Sequence, residues 1–261
     1  MSATFDLFVP TRKRPRNVDR LLGTIEETAS DPSRIKCYFR VDSDDSDTLA
    51  LIPSLRARHP ALTIHFIVGE RLPLAWHYTG MANLTHGDIL WSGGDDIAFR
   101  TKGWDDEIEA EFAKVPDRIV LVYGNDCLQE HRLATHPFIS RESFNVLGYF
   151  YPNTGEISVT DVWLHHAYQT IGRIVYRPDI ITEHIHWLRR DADGNRLADY
   201  DQTYAGQYEK NYPEVMAVLQ ANQDRLVRGI NVLLQAIGNE QRVFAKYPVK
   251  SPDDQVLTPN G

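Results

Sequence analysis

Short apolar runs alternate with longer amphipathic segments along the first half of the chain. The run Phe5–Val9 (FDLFV) stops at Pro10 and is too short for a helix, so it predicts a buried strand. Further strands are predicted at Ile35–Val41, Leu62–Val68, Asp88–Trp91 and Ile119–Tyr123.

Helical spacing fills most of the intervals between these strands. Asn17–Thr28 repeats apolar residues at helical intervals, and Pro15 stands near its start, where proline is tolerated. Further helices are predicted over Leu49–Arg58, Leu74–Leu84 and Gly103–Ala113. Strands that alternate with helices predict an α/β fold with a doubly wound, mainly parallel sheet.

The second half of the chain has a less regular pattern. A helix is predicted over Thr160–Thr170, followed by short strands near Ile174–Tyr176 and Ile180–His184. Tyr204–Ile237 is mostly helical in pattern, with a break at Tyr212–Pro213, and forms a C-terminal helical extension. Residues 246–261 are rich in polar residues and proline, which predicts a flexible tail. We therefore expect a single domain over residues 1–245.

Composition and charge narrow the class of protein. The chain has 261 residues, and 28 basic against 36 acidic side chains give a net charge of −8, which argues against a surface built to grip nucleic-acid phosphates. Its two cysteines cannot form a disulfide framework. The sequence contains no apolar run long enough to span a membrane and no signal-peptide core, so we expect a cytoplasmic protein without membrane insertion.

Polar loops follow three of the predicted strands. They are Pro10–Arg16 (PTRKRPR), Asp42–Asp47 (DSDDSD) and Gly93–Asp96 (GGDD). Ligands bind beyond the carboxyl ends of the strands in open parallel sheets. The sequence therefore predicts a functional site at this edge of the sheet.

The Gly94-Asp95-Asp96 segment is a candidate metal site. Two adjacent carboxylates repel each other, and a hard divalent cation would remove that repulsion while the glycines admit a phosphate ligand. A solvated acidic turn is the alternative. The position at a strand end, with Trp91 and Trp104 nearby, favours the metal site.

A pair of histidines supplies further candidate metal ligands. His184 and His186 share one face if their segment is a strand. Together with Asp95 and Asp96, one imidazole suits Mn²⁺ or Mg²⁺ carrying a diphosphate. Structural or surface histidines are the alternative.

Two other features have a functional and a structural interpretation. Asp161 either acts as a general base, with a pKa raised by partial burial beside Trp163, or it caps the following helix, as Thr160 could also do. The four basic residues of Pro10–Arg16 indicate anion binding at a helix N-terminus. A nucleic-acid or nuclear-localisation patch and a solvated basic loop are the alternatives to anion binding.

In their order and spacing, these segments resemble the nucleotide-sugar glycosyltransferases of the GT-A fold, of the family 2 type. FDLFVPTRKRPRNVDRLLGTI resembles the opening strand, loop and helix of that family, and FRVDSDDSD its second strand and acidic loop. DILWSGGDDIAFRTKGWDDEI resembles the metal-binding acidic motif. TDVWLHHAYQTIGRIVYRPDIITEHIHW resembles the acceptor-side acid, its helix and a terminal metal-ligand histidine. The resemblance covers most of residues 4–187.

The resemblance implies a role for each matching residue. Six residues would lie at the donor nucleotide: Pro10, Thr11, Arg12, Arg14, Asp42 and Asp44. Asp42 would form a hydrogen bond to the nucleotide base, which is expected to be uracil. Asp95 would lie at the diphosphate. Asp96 and His184 would bind the metal, with His186 as second choice. Asp161 would be the general base that deprotonates the acceptor hydroxyl. Trp163 and Trp187 are acceptor-side candidates. Residues 1–125 would form the nucleotide-binding half and residues 126–200 the acceptor half, with residues 201–245 as the extension.

The sequence departs from the family pattern at one position. The first acid of the acidic motif is replaced by Gly93 or Gly94. This replacement removes the expected contact to the ribose and weakens the expectation of metal dependence.

The resemblance implies a metal-dependent glycosyltransferase that moves a sugar from a UDP-linked donor to an acceptor hydroxyl with inversion. A non-catalytic nucleotide- or carbohydrate-binding module is one alternative. A nucleotidyltransferase is another, although the first loop lacks the glycines of a phosphate loop. The acceptor stays open among glycans, small molecules, proteins and modified nucleic-acid bases, and the aromatics Tyr149, Phe150, Tyr151 and Trp187 could stack on its rings.

Overall fold

A computed structural model describes residues 2–152, 160–186, 191–195, 197, 217–218 and 220–241. Its strands are β1 Phe5–Thr11, β2 Ile35–Asp42, β3 Thr63–Gly69, β4 Ile89–Ser92, β5 Ile97–Phe99, β6 Leu121–Asn125, β7 Phe138–Ser140 and β8 Ile174–His184. Its α-helices are α1 Pro15–Thr28, α2 Ser46–Arg58, α3 Leu74–Asn83, α4 Trp104–Ala113, α5 Arg141–Leu147, α6 Thr160–Thr170 and α7 Gln223–Ala236. Short 3₁₀ helices lie at Pro32–Arg34 and Glu130–Arg132.

The strands form a single mixed sheet in the order β3-β2-β1-β4-β7-β6-β8-β5. β1, β2, β3 and β4 are mutually parallel, as the alternating pattern predicts. β7 is antiparallel to both β4 and β6, and β8 returns parallel to β6. The α/β, mainly parallel, doubly wound sheet is therefore confirmed.

Helices cover both faces of the sheet, so the buried apolar residues form two clusters, one on each face. Successive residues of β1 belong alternately to one cluster and to the other. Leu7 belongs to the cluster that includes apolar residues of α1, α2 and α4. Phe8, its neighbour, belongs to the cluster formed with α3, α5, α6 and α7. Successive side chains on a strand point to opposite faces, so one strand supplies both cores.

The two short strands predicted near the end of the acceptor half are one continuous strand. β8 pairs in parallel with β6 through Ile174 and, further along, in antiparallel with β5, where His184 lies opposite Ile97. The β6 pairing is irregular between Gly124 and Asn125, and a Cβ at Gly124 would lie 2.4 Å from the carbonyl oxygen of Ile180. The close crossing of these two strands brings the end of β8 to the loop that precedes β5.

Two strands and one helix were not predicted. β5 and β7 have three residues each, which is too short for a period to be recognised. α5 follows β7 directly, and the Ser140 side chain caps it by accepting the backbone N–H of Ser143 at 3.0 Å.

The acidic loop after β2 is shorter than predicted. α2 begins at Ser46 because Asp45 caps it, accepting the Thr48 backbone N–H at 3.1 Å. Asp47 therefore lies in the first turn of the helix, where a negative charge is favourable.

The predicted C-terminal helix is described only in part. α7 covers the second half of the predicted Tyr204–Ile237 segment, whereas the break at Tyr212–Pro213 and the tail at 246–261 lie outside the described residues. Within the residues that the structure describes, no helix is long and apolar enough to cross a membrane.

We expect Gly93→Ala to destabilise the protein, whereas Gly80→Ala should not. A Cβ at Gly93 would lie 1.9 Å from the ring of the buried Trp91, and overpacking of this kind costs about 1–3 kcal/mol. Gly80 lies on the exposed side of α3 with nothing within 4 Å of the added Cβ, so alanine there should be neutral or stabilise by about 0.4–1 kcal/mol. Urea unfolding of both variants measures the difference, and equal stabilities would contradict the packing argument.

Candidate active site

Asp95 lies at the centre of a buried polar cluster. It accepts the Thr11 hydroxyl at 2.6 Å and the Asn17 amide at 3.4 Å, and Arg14 Nε lies 3.0 Å from its Oδ2. The residue is fully buried, and burial raises the pKa of its carboxyl while the charge of Arg14 opposes that rise. Asp95 thus fastens the acidic loop to the end of β1 and the start of α1.

Asp96 points toward β8. Its Oδ2 lies 3.5 Å from His184 Nε2 and 3.7 Å from Arg14 Nη1. Burial disfavours the charged carboxylate, but the positive charges of His184 and Arg14 outweigh burial and hold the pKa of Asp96 below its usual range. Asp96 and His184, predicted as metal ligands from separate motifs, are therefore neighbours.

His184 is positioned by the strand crossing described above. Its backbone N–H donates to the Asp126 carbonyl at 2.8 Å, and the next N–H, of Ile185, donates to the Asp96 carbonyl at 2.8 Å. Burial lowers the pKa of His184, but the carboxylate of Asp96 outweighs burial, so the pKa is raised overall. The ring centroid of His186 lies 5.2 Å from that of His184, although β8 ends at His184 and His186 lies beyond the strand.

Two residues of this cluster were not identified from the sequence. The His136 ring lies 5.0 Å from that of His184, and the carboxylate of Asp126 accepts the N–H groups of Leu128, Gln129 and Glu130. Asp126 directly follows β6, so the rule that sites lie at carboxyl ends of strands could have found it. His136 precedes β7, which has no recognisable sequence signal.

The donor atoms around Asp96 and His184 are suitable for a divalent ion. A carboxylate and an imidazole are ordinary ligands of Mn²⁺, and Nδ1 of His184 is a buried atom with no hydrogen-bond partner among the described residues. Within the same residues, no group of three or more His, Cys, Asp or Glu side chains could hold a metal ion. Any ion here would therefore take most of its ligands from phosphate oxygens and water, as Mg²⁺ sites commonly do.

Asp161 lies in the first turn of α6, not at its cap. The helix begins at Thr160, so both residues of the predicted cap are helical, and the Asp161 carboxylate accepts the N–H of Val162 at 2.9 Å. Burial raises the pKa of Asp161 to about 6. Hydrogen bonds to backbone N–H groups and the charge of His184 oppose that rise.

The basic loop after β1 is paired with the acidic loop after β2. Arg12 donates to Asp42 at 3.0 Å from Nη1 and to Asp44 at 2.8 Å from Nη2. Hydrogen bonding to Asp44 raises the pKa of Arg12. Pro10 and Thr11 are buried in β1, and the hydroxyl of Thr11 donates to Asp95. The alternative of a solvated basic loop therefore does not hold for Arg12 and Arg14, which both lie against carboxylates.

Of the two tryptophans predicted to contact the acceptor, the structure describes only Trp163. Trp163 is fully buried and packs edge-on against Tyr149, with ring centroids 5.4 Å apart. A buried ring cannot stack on an acceptor, so the structure removes Trp163 from the candidate contacts. Trp187 lies outside the described residues.

The missing first acid of the motif has a steric cause. The 1.9 Å approach of a Gly93 Cβ to Trp91 excludes a side chain there, and a Cβ at Gly94 would lie 2.4 Å from Asp96 Oδ1. The same loop is tied down by Tyr78, whose hydroxyl donates to the Gly93 carbonyl at 2.9 Å. An acidic side chain at either position therefore conflicts with the observed positions of Trp91 and Asp96.

No protein-family model and no curated protein sequence matches the chain significantly. Solved structures do match. A mannosyltransferase from Pyrobaculum calidifontis, PcManGT, in complex with GDP-Man and Mn²⁺, aligns with a TM-score of 0.57 and 16% identity over 94% of this chain and 78% of that one. S. aureus TarS 1–349 in complex with UDP-GlcNAc aligns with a TM-score of 0.56 and 12% identity over 89% of this chain and 73% of that one.

A longer S. aureus TarS structure aligns with a TM-score of 0.55 and 12% identity over 89% of this chain, which spans only 49% of it. At these identities the matches establish the fold alone. The chain has the fold of known glycosyltransferases, as the resemblance to GT-A enzymes predicts.

We expect Asp161→Asn to increase the free energy of unfolding at pH 7 but not at pH 4. A carboxyl whose folded-state pKa is raised to about 6 folds more favourably when neutral, so its ionisation destabilises the fold as pH rises above the ordinary value near 4. The neutral amide removes that cost, and a shift of about two pKa units corresponds to at most about 3 kcal/mol.

Urea unfolding between pH 4 and 7 measures this gain. Asp224→Asn is the control because Asp224 is exposed in the first turn of another helix, α7. A stability difference between wild type and Asp161→Asn that does not change with pH would contradict the raised pKa.

Proposed function

We propose that the chain is a glycosyltransferase that moves a sugar from a nucleotide-diphosphate donor, expected to be UDP-linked, to an acceptor hydroxyl. One observation carries this proposal. Asp96 and His184 come from distant segments and lie 3.5 Å apart in a fold shared with glycosyltransferases, and the charge of His184 acts on Asp161, from a third segment. Low cysteine content agrees with a cytoplasmic enzyme.

The donor assignment draws support from the two bound ligands named above. PcManGT was solved with GDP-Man and TarS with UDP-GlcNAc, both nucleotide-diphosphate sugars. In this chain, Arg12 orients Asp42 through their 3.0 Å ion pair, and Asp42 would then bond the base. The basic loop also brings Arg14 beside the acidic loop, where its guanidinium could bind a phosphate.

A divalent ion, Mn²⁺ or Mg²⁺, would be held by Asp96 and His184, with His186 as second choice. PcManGT was solved in complex with both GDP-Man and Mn²⁺, which supports a metal in this fold. When bound, such an ion stabilises negative charge on the departing diphosphate. Asp95 supports this arrangement indirectly, because it fixes the loop from which Asp96 projects.

Asp161 would accept the proton of the acceptor hydroxyl. The acceptor oxygen then bonds to the anomeric carbon, while the bond from that carbon to the diphosphate oxygen breaks and the nucleoside diphosphate leaves with the electron pair. A carboxylate with a pKa of about 6 is ionised at neutral pH and is a stronger base than an ordinary aspartate. Direct attack with one base implies inversion at the anomeric carbon.

A non-catalytic nucleotide- or carbohydrate-binding module is the second candidate. It is favoured by the glycines that replace the first acid and by the lack of a three-ligand metal group in the described residues. A transfer assay with UDP- and GDP-sugars in Mn²⁺ separates the two candidates. Release of nucleoside diphosphate supports the enzyme, whereas binding without turnover supports the module.

We expect Asp96→Asn and His184→Ala to abolish the Mn²⁺-dependent part of nucleoside-diphosphate affinity. Each variant removes one of the two proposed protein ligands, whereas His186→Ala should have a smaller effect. Calorimetric titration of UDP and GDP, with and without Mn²⁺, measures the difference. Unchanged affinity of Asp96→Asn in Mn²⁺ would exclude the ligand role, and a larger effect of His186→Ala would exchange the two histidines.

We expect Asp161→Asn to lower transfer by about 100-fold or more while donor affinity stays unchanged, since loss of a general base has that scale. Wild-type turnover should also fall as pH decreases through about 6, because protonated Asp161 cannot accept a proton. Single-turnover rates at saturating donor measure both effects. Near-normal transfer by the variant would remove Asp161 from the mechanism.

A further inference from the structure

A cavity of about 460 Å³ lies on the α3 side of the sheet, apart from the cluster of Asp96 and His184. It is formed by α3, the segment that follows α5, and α7. Its lining includes Trp76, Tyr149, Tyr151, Arg225, Arg228 and Val232. None of the residues proposed above for the donor, the metal or the base lines it.

The lining combines aromatic faces with positive charge. Trp76 is 54% exposed although it lines the cavity, which is unusual for a side chain of this size. Arg225 and Arg228 are three residues apart on α7, so both lie on one face of the helix. Both positive charges oppose the rise that burial causes in the pKa of Tyr149, so the guanidinium groups act on the same aromatic wall.

Tyr151 lines the cavity and also contacts the strand end that carries the acidic loop. Its hydroxyl shares a 2.6 Å hydrogen bond with Ser92, the last residue of β4, directly before the glycines of the acidic loop. The negative charge of Asp161 also contributes to the raised pKa of Tyr151, after burial, which is the main cause. A molecule that packs on Tyr151 in the cavity would therefore lie one side chain away from the end of β4, where the acidic loop begins.

We propose that this cavity binds the acceptor and that the acceptor carries a flat aromatic ring and an anionic group. The ring would pack on Trp76 and Tyr149, and the guanidinium groups of Arg225 and Arg228 would pair with a phosphate or carboxylate. The volume is in the range of pockets that hold drug-sized molecules, so an aromatic ring with an anionic group fits. This inference rests on the proposed function and specifies the acceptor class for it.

Calorimetric titration of phenyl phosphate into the full chain tests the proposal, with the protein first saturated with UDP and Mn²⁺. Phenol and inorganic phosphate test the ring and the charge separately, and benzoate distinguishes a carboxylate from a phosphate. Arg228→Gln removes one charge, and Val232→Trp fills the cavity from a position that is 42% exposed, where folding tolerates change. Arg56→Gln is the matched control, because Arg56 lies exposed on α2, which does not line the cavity.

We expect phenyl phosphate to bind in the presence of UDP, and more tightly than phenol or inorganic phosphate. Arg228→Gln and Val232→Trp should each weaken it by about tenfold or more, the scale of one charge-assisted hydrogen bond, while Arg56→Gln has no effect. UDP affinity, which reports on the donor site alone, should be unchanged in all three variants. If the wild-type protein does not bind UDP, that result would therefore count against the proposed function and not against the proposal that the cavity binds a ligand.

Three results would overturn the cavity proposal. They are no binding of phenyl phosphate, equal binding by wild type and both cavity variants, and displacement of phenyl phosphate by UDP. A separate assay tests the acceptor role. The protein is incubated with 4-(hydroxymethyl)phenyl phosphate, Mn²⁺ and the nucleotide sugar that binds most tightly, and the mass of the product is measured. We expect a product heavier by one sugar residue, and donor hydrolysis without that product would overturn the acceptor assignment.

Discussion

The buried carboxylate of Asp95 is the interaction on which the arrangement of the site depends. An isolated buried charge is strongly unfavourable, so the chain must supply partners, and it does so from the end of β1 and the start of α1. Arg14 reaches both Asp95 and Asp96, so the same contacts that neutralise the buried acid also orient the more accessible one. The acidic loop is thereby held at the sheet edge without any ligand.

The second constraint is the path of β8. Because this strand pairs first with β6 and then with β5, its last residue, His184, comes beside the acidic loop. The backbone hydrogen bonds of His184 and Ile185 then connect β8 to Asp126 and to Asp96. Two loops and one strand end are therefore fixed relative to one another by main-chain contacts, which leaves the side chains to provide the chemistry.

Much of this arrangement can be predicted from the sequence. The rest cannot, and in each case the reason is physical. Long periodic segments predict their elements well. Ligand chemistry and the family resemblance assign Asp96 and His184 to one site, and the two side chains lie 3.5 Å apart. β5 and β7 escape because three residues cannot display a period. A run of charges shows its sign but not its partners, so the pairing of Arg12 and Arg14 with carboxylates of the two acidic loops cannot be predicted from the sequence. Trp163 looks like a contact residue because burial is not a property of the residue type alone, and the cavity joins α3 to α7, which no local pattern connects.

The steric fit of Gly93 against Trp91 also bears on how this loop can change by mutation. An aspartate at position 93 or 94 would need the Trp91 ring or the Asp96 carboxylate to move first. Trp91 in turn packs against Phe99 and Phe138, so a smaller residue there leaves a void between three strands. A form of this loop with a third acid, at position 93, is therefore separated from the present one by several coupled substitutions. Directed evolution toward such a form should succeed only from libraries that vary these positions together.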